Sequence, residues 1–527
     1  MLASLLSATL NGLDGRLVRV EVDVAPGLPG FTIVGLPDAA LQEARERVRG
    51  AIRNCGYDYP PRRLTVNLAP ADVRKSGSSL DLAMAIGILI GSEQLQARGR
   101  WALLGELSLG GELRPIPGLL PMVAALARRN VARVIVPAAA LDEARLAGGM
   151  EVAPAATLTE AAALLRESRR GRARVSSRRV ELLPDMADEA GDRPGSAAVA
   201  GPGGASGTVP DLAEVRGQAE ARRALEIALA GGHGLVMVGP PGSGKTLLAR
   251  TVAGLLPPLT DEEARMATII ASVSGTSVRG LVRIRPFRAP HHTISYAGMV
   301  GGGPHLSPGE VTLAHNGVLF LDELPEFDRA TLEALRQPLE DGQVAISRVG
   351  KTAVFPSRFQ LIAAMNPCPC GYAGSEDGRC RCSERNVERY GARVSGPLRD
   401  RVDLWVHMPR VMPQEYVGPA QPEGSDTVRE RVSLARDIQV ARRGCLNSRL
   451  AGRTLRAACM LGSPEQQHAI RLSEIEASSA RGMERLLRVA RTIADMDAAE
   501  NVLNSHLDEA ARFRSPAGTG GPVKVAV

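Results

Sequence analysis

Aromatic residues are scarce in this chain, at 3% of 527 residues. Lysine is scarcer still: Lys75, Lys245, Lys351 and Lys524 are the only four, and the other 60 basic side chains are arginine. That bias reads as genome composition before it reads as nucleic-acid binding, and it makes each lysine stand out. No apolar run reaches the ~18 residues of a membrane span. The best, Leu80 to Gly91, is short and contains Asp81. The N-terminus lacks the charged start and small-residue cleavage site of a secretory signal. A cytoplasmic protein with no membrane partner is therefore expected, with reduced cysteines and no disulfides.

At 527 residues the chain has room for two to four domains. Its 44% hydrophobic and 23% charged residues are ordinary for a soluble globular protein. The net charge of +7 permits nucleic-acid binding without requiring it.

The strongest local signal is Gly239-Pro240-Pro241-Gly242-Ser243-Gly244-Lys245-Thr246. It follows the buried-strand pattern Leu235-Val236-Met237-Val238 and opens a helical pattern, with the G-x-x-x-x-G-K-T spacing of a P-loop. The glycines let backbone N–H groups fold around a phosphate chain, and the helix N-terminus adds partial positive charge. Lys245 can reach the β and γ phosphates, and the Thr246 hydroxyl can hold Mg²⁺. A second buried-strand pattern, Val318 to Leu321, ends in Asp322 and Glu323. Asp322 at its tip can hold the Mg²⁺, which leaves Glu323 to polarise the attacking water. Together they predict hydrolysis of a nucleoside triphosphate, ATP above others.

Residues 1–166 alternate strand-like and helix-like patterns. Leu17 to Val22 alternates as a half-buried strand, Ala39 to Asn54 reads as an amphipathic helix, and Val134 to Val136 centres another strand. The stretch 167–208 is rich first in arginine and then in Gly, Ala, Ser, Pro and acids. It buries little and reads as a flexible linker, with phosphate contact by its arginines as the alternative. The ATPase segment runs over 209–409, a helical region over 410–512, and a disordered tail over 513–527.

Cys368, Cys370, Cys380 and Cys382 crowd into fifteen residues with C-x-C-x₉-C-x-C spacing. Four thiolates complete the tetrahedral set of a structural zinc and leave no open catalytic position. The alternative is four unliganded cysteines in a glycine-rich loop. Cys55, Cys445 and Cys459 are isolated and expected to be buried.

Further stretches carry a resemblance. Arg285 to His292, Gly301 to Gly303, Pro308 to Glu310, Ala314 to Pro325, Leu335 to Glu340, Ala364 to Gly371 and Ser395 to Leu398 closely resemble the YifB/ComM family of magnesium-chelatase-like AAA+ ATPases. The resemblance covers about residues 1–510. It implies a multidomain fold: an α+β Lon-protease-like (S5-like) N-terminal domain, an α/β P-loop AAA+ domain and an α-helical C-terminal lid. It implies that Asn366 is the sensor-1 residue orienting water against the γ-phosphate. Arg401 resembles the arginine finger that reaches a neighbouring subunit's ATP, and Arg481 the sensor-2 arginine of the lid. Arg399 stands where a hydrophobic residue is expected. A finger acting in trans requires a ring, and the family implies a hexamer. The pattern Gln343 to Arg358 reads as a β-hairpin, which related ring motors place in a central pore against DNA; Arg348 and Lys351 near its tip become candidate phosphate contacts, with a structural hairpin packing on the neighbouring subunit as the alternative. His291, His292 and His305 are expected to serve hydrogen bonding rather than metal binding.

In the N-terminal domain, Ser79 lies where the Lon protease carries its nucleophilic serine, but Leu120 lies where Lon carries the partner lysine. A serine without an adjacent base is a poor nucleophile, so this domain is expected to be proteolytically inactive and to serve as a DNA-binding or ring-stabilising collar. The resemblance favours an ATP-driven DNA motor, a helicase or branch-migration ring in homologous recombination or natural transformation. An AAA+ protein remodeller or Lon-like protease is the alternative. A magnesium-chelatase subunit is the third reading, disfavoured on the expectation that chelatase motor subunits lack the N-terminal domain and the four-cysteine loop.

Overall fold

A computed structural model describes residues 1–71, 75, 77–167, 209–303, 306–348, 351–374, 378–412, 423–475 and 479–514. From residue 168 onward the expected linker lies outside the described residues, as do His305 and the tail from 515. Among the described residues no helix is long and apolar enough to cross a membrane.

The first domain is a seven-stranded mixed sheet. Its order is Gly30–Val34, Arg63–Ala69, Asp14–Ala25, Leu2–Asn11, Ala102–Leu103, Arg133–Pro137, Glu151–Ala155. Leu2–Asn11 and Asp14–Ala25 form an antiparallel hairpin, and the far edge is parallel. Alternation sets its faces: Val18, Val20, Val22 and Val24 are buried on one side. The helix Asp81–Gly91 packs there, and Gly87 lets it approach, because a Cβ at that position would lie 2.5 Å from Val22 Cγ2. The helix Ala39–Asn54 forms where its periodicity predicts and is capped by Asp38, whose carboxylate accepts from the Leu41 N–H at 3.0 Å.

The second domain carries a five-stranded parallel sheet in the order Phe287–Arg288, Val318–Leu321, Gln360–Met365, Leu235–Val238, Leu404–His407. Its central strands are buried on both faces, as a parallel sheet covered by helices requires. Parallel register aligns Val238 with Met365 and Leu321 with Ala363. The loops that follow all three strands therefore leave at the same edge, where open α/β sheets bind ligands.

His315, just before the strand Val318–Leu321, is buried and accepts from the Arg358 backbone N–H through Nδ1 at 3.0 Å. Burial, with the Arg358 charge, pushes its pKa down from 6.5 to about 4. The folded state holds the neutral ring, so its contribution is fully present above pH 6.5 and is lost as pH falls from there towards 4. Thermal melts of wild type and His315→Asn, whose amide oxygen can accept the same bond, should diverge across that window. The wild type should lose on the order of 3 kcal/mol more than the variant by its lower end; parallel melting curves would contradict this.

Helices Ser425–Arg443, Gly452–Cys459, Ser463–Ile475, Ala480–Met496 and Asn504–Arg512 form the helical C-terminal region. A buried polar chain latches it to the sheet. His233 meets Asp403 Oδ2 through Nδ1 and Thr492 Oγ1 through Nε2, both at 2.8 Å, and Asn447 donates to Thr492 at 3.1 Å. Burial pushes the Asp403 carboxyl up, but the Arg488 charge and the His233 hydrogen bond outweigh it and hold the group below the usual range. Phe513 is buried against this core, so the packed region extends past the 512 boundary and the tail begins later than 513. The isolated cysteines also depart from expectation: Cys459 is buried, whereas Cys55 and Cys445 are only half-buried.

The two α/β domains meet through the helices Leu119–Arg128 and Asp261–Val273. The Gly118 N–H donates to the Ser272 carbonyl at 2.8 Å, and the Ser272 hydroxyl donates to Glu143 at 2.6 Å. Burial raises the Glu143 pKa, with the bonds from Ser272 and the Leu120 N–H opposing it.

Candidate active site

The strand Leu235–Val238 turns into the glycine-rich loop, and Gly242 and Gly244 take φ of 78° and 90°, left-handed values that side chains rarely adopt. Gly244 caps the helix Lys245–Leu255. Lys245 is buried, and its ammonium donates to the carbonyls of Gly239 at 2.8 Å and Pro240 at 2.9 Å. It also reaches Asn366 Oδ1 at 3.3 Å. Burial pushes the ammonium pKa down, while the Asp322 and Glu323 charges oppose that shift.

The strand Gln360–Met365 lies between the P-loop strand and Val318–Leu321. This interposition puts Asn366 beside Lys245. The same edge brings Asp322 to the loop: the Thr246 hydroxyl donates to Asp322 Oδ2 at 2.7 Å. The other Asp322 oxygen accepts from the Glu323 N–H at 2.9 Å, and Glu323 takes a left-handed φ of 53°. Such a conformation in a non-glycine residue is stored strain of the kind that collects at functional sites. It turns Glu323 out of the strand direction, with half of its side chain exposed. The structure thus gathers Lys245, Thr246, Asp322, Glu323 and Asn366 around one loop. A hydroxyl and a carboxylate in contact there form an oxygen donor pair suited to Mg²⁺.

The remaining predicted residues lie elsewhere. Arg401 is largely buried; it donates to the Pro397 carbonyl at 2.6 Å and pairs with Glu340 of its own chain. Arg481 is exposed in the first turn of Ala480–Met496. Arg399 donates to the Gly391 carbonyl, and burial pushes its pKa down. The strands Gln343–Arg348 and Lys351–Pro356 form an antiparallel hairpin that closes with Arg348 opposite Lys351. The side chains of those two residues lie outside the described set.

The site has further neighbours, of which the sequence singles out His292 but not Gln218 or Arg485. His292 Nδ1 lies 3.5 Å from Glu323 Oε2, and its ring packs at a 34° tilt against that of His291, with centroids 4.1 Å apart. Gln218 donates to the Ser243 carbonyl at 3.1 Å and to the Pro409 carbonyl at 2.6 Å, tying the P-loop to the last strand's exit. Arg485 donates to the carbonyls of Arg399 and Val402 at 3.2 and 3.4 Å, joining the helical region to the Arg401 segment. A polar residue at such a position carries no signal until the fold brings its partner to it.

The four cysteines converge. Cys368 Sγ lies 3.3 Å from Cys370 Sγ and 3.8 Å from Cys380 Sγ, and all four sulfurs lie within 4.8 Å of one another. Zn–S bonds of ~2.3 Å put tetrahedral sulfurs ~3.8 Å apart, so the set fits zinc, and all four are free thiols. Among the described residues it is the one group of this kind. The shifts within the cluster are opposed: the Tyr372 backbone N–H is the main influence holding the Cys370 thiol down to about 6, while Cys382, despite its backbone hydrogen bond with Cys370, is pushed up to about 11 by the Cys370 thiol.

In the first domain, Ser79 is buried and its hydroxyl donates to the Ala8 carbonyl at 3.0 Å. Leu120 is buried at the seam with the second domain and supplies only a backbone N–H, to Glu143 and Ser272.

A glycine-rich loop leaving a five-stranded parallel sheet, an acidic strand tip against its threonine and a helical C-terminal region define a P-loop ATPase of the AAA+ class. A family model described as magnesium chelatase, subunit ChlI, matches residues 211–416. Models described as subunit ChlI of Mg-chelatase and as its ChlI C-terminal part match residues 20–140 and 422–514. The chain is 42% identical over 509 residues to the uncharacterized protein YifB of Escherichia coli, covering 96% of this chain and 95% of that protein. It is 40% identical over 520 residues to the competence protein ComM of Haemophilus influenzae, covering 98% and 97%. A shorter similarity, 26% over 132 residues, links it to Lon protease 1 of Hydrogenovibrio crunogenus, covering 24% of this chain and 16% of that protein. The chain belongs to the YifB/ComM family of magnesium-chelatase-like AAA+ proteins. Membership implies ATPase activity with ATP and Mg²⁺.

Proposed function

We propose that this protein is an ATP-driven, ring-forming DNA motor of the helicase or branch-migration type, serving homologous recombination or natural transformation. The observation that carries the reading is the gathering of Lys245, Thr246, Asp322, Glu323 and Asn366 around one loop. It occurs in a chain aligned over 520 residues with a competence protein. The net charge of +7 and a hairpin ending at Arg348 and Lys351 support DNA as the partner.

In this reading Lys245 and the loop N–H groups hold the phosphates. Thr246 and Asp322 would hold Mg²⁺, which neutralises charge on the phosphate oxygens. Glu323 takes a proton from the attacking water, and Asn366 orients that water. Arg401 completes the site of the adjacent subunit in a hexamer, and Arg481 serves the lid. Ser79, bonded to a carbonyl with leucine at the lysine position, supports a non-proteolytic role for the first domain. The chelatase reading is harder to set aside than sequence alone suggests. A model named for the chelatase subunit matches residues 20–140, so that domain does not separate this chain from such subunits.

Binding to labelled single-stranded DNA tests the DNA assignment. Contacts with phosphate predict tight binding at low salt and a linear fall of log K with log salt, ~0.7 per phosphate neutralised on a single strand. Absence of binding at low salt would remove DNA as the partner and favour the protein-remodelling reading.

A further inference from the structure

The four-cysteine loop starts two residues after Asn366 and folds back over the nucleotide loop. Gly371, between the first and second pairs of cysteines, takes a left-handed φ of 86°. A Cβ there would lie 2.5 Å from Pro241 Cδ and 2.8 Å from Pro241 Cγ, so only glycine lets this backbone seat against the P-loop. The strand feeding the loop is itself bonded to the P-loop: the Gly239 N–H donates to the Met365 carbonyl at 3.2 Å, and Asn366 accepts from Lys245 at 3.3 Å. Cys368 is fully buried, and its sulfur accepts from the Ala373 N–H at 3.2 Å while its carbonyl accepts from the Gly371 N–H at 2.9 Å. Cys380 and Cys382 lie on the far arm of the loop, after residues 375–377.

We infer that the four thiolates bind one thiophilic divalent cation of the zinc class, and that this cation fastens the loop as a wall of the nucleotide pocket, so that metal occupancy and nucleotide affinity are linked. The inference rests on the ATPase reading and extends it. Hydrogen bonds around Cys368, the packing of Gly371 on Pro241 and the Arg379 guanidinium over the Tyr372 ring hold the described part of the loop, and a metal would add a crosslink between its two arms. Closing the Cys368–Cys382 loop in that way fixes one arm against the other, as structural zinc does in small folds. Thr246, Asp322 and Asn366 supply the polar contacts of the pocket; the cysteine loop supplies position. Linkage is reciprocal, so nucleotide should tighten zinc by the same factor by which zinc tightens nucleotide.

The test uses full-length protein prepared without chelator. Zinc is measured by mercurial release into a chromogenic dye, and nucleotide affinity by titration with a fluorescent non-hydrolysable ATP analogue. Wild type should carry stoichiometric zinc, or take it up when zinc alone is added. The double variant Cys380→Ser, Cys382→Ser should lose zinc and bind the analogue several-fold more weakly. Gly371→Ala leaves every thiol intact; it should keep zinc and still weaken the analogue, and it keeps the inference testable if the double variant fails to fold. Zinc lost with analogue affinity unchanged would overturn the linkage, as would Gly371→Ala binding like wild type. Wild type that takes up no zinc overturns the metal site. Wild type that carries zinc but binds no analogue overturns the ATPase reading itself, and this inference with it.

Discussion

Glu323→Gln is expected to stop turnover while leaving ATP bound. Glutamine keeps the length of the side chain and the backbone N–H that Asp322 accepts. It also tolerates the left-handed φ of 53° no worse than glutamate does. What it loses is the ability to take a proton, and a positioned general base contributes roughly 10²–10⁴ in rate. The contacts among Lys245, Thr246 and Asp322 are untouched, so affinity for ATP should stay close to that of wild type. The expected pattern is therefore a fall in kcat with little change in binding, measured by single-turnover hydrolysis beside equilibrium nucleotide titration. A turnover within a few-fold of wild type would remove Glu323 from the base role. Attention would then move to His292, whose Nδ1 lies 3.5 Å from the same carboxylate.

Arg401→Ala is expected to be as severe, and for a reason that a single chain does not display. Within its own chain Arg401 pairs with Glu340, whose side chain is half exposed, and reaches none of the P-loop residues. Moving from Glu340 to a neighbour's nucleotide would exchange one anionic partner for another, so the arginine would not be left unpaired. An arginine finger supplied in trans is worth about 10³–10⁵ in rate. Arg401→Ala alone and Lys245→Ala alone should both be inactive. Mixed and allowed to co-assemble, they should recover activity, because some interfaces then pair an intact Lys245 loop with an intact Arg401. A mixture that stays inactive, with assembly confirmed by size, contradicts action in trans and leaves Arg401 as a structural partner of Glu340.

The parts of the site that could be read from sequence are those whose chemistry is contiguous. Gly239 to Thr246 carries its strand, loop and helix in one stretch, and Asp322 and Glu323 sit at the end of a strand that periodicity identifies. The four cysteines were visible for the same reason, since fifteen residues hold them all. The helix Ala39–Asn54 and the hairpin ending in Arg348 and Lys351 followed from local pattern. What stayed hidden depends on packing between distant segments. Nothing near Gly371 announces Pro241 as its neighbour, because the contact depends on the strand Gln360–Met365 lying beside the P-loop strand. The approach of His292 to Glu323 spans two loops. The docking of Leu120 and Glu143 on Ser272 joins two domains, and the half-exposure of Cys55 and Cys445 depends on what covers each. Arg481 lies exposed on the fourth helix of the C-terminal region, and nothing in its local sequence says what it would meet there.

The central claim is that hydrolysis at this P-loop is coupled to DNA. The measurement that tests it most directly is the ATPase rate of the full chain alone and with single-stranded, duplex and four-way-junction DNA, beside Lys245→Ala. Several-fold stimulation by at least one DNA is expected, greatest with the junction if the motor drives branch migration, and no activity in Lys245→Ala. A rate that depends on Lys245 but is indifferent to every DNA would contradict it, leaving an ATPase whose work is done on something else.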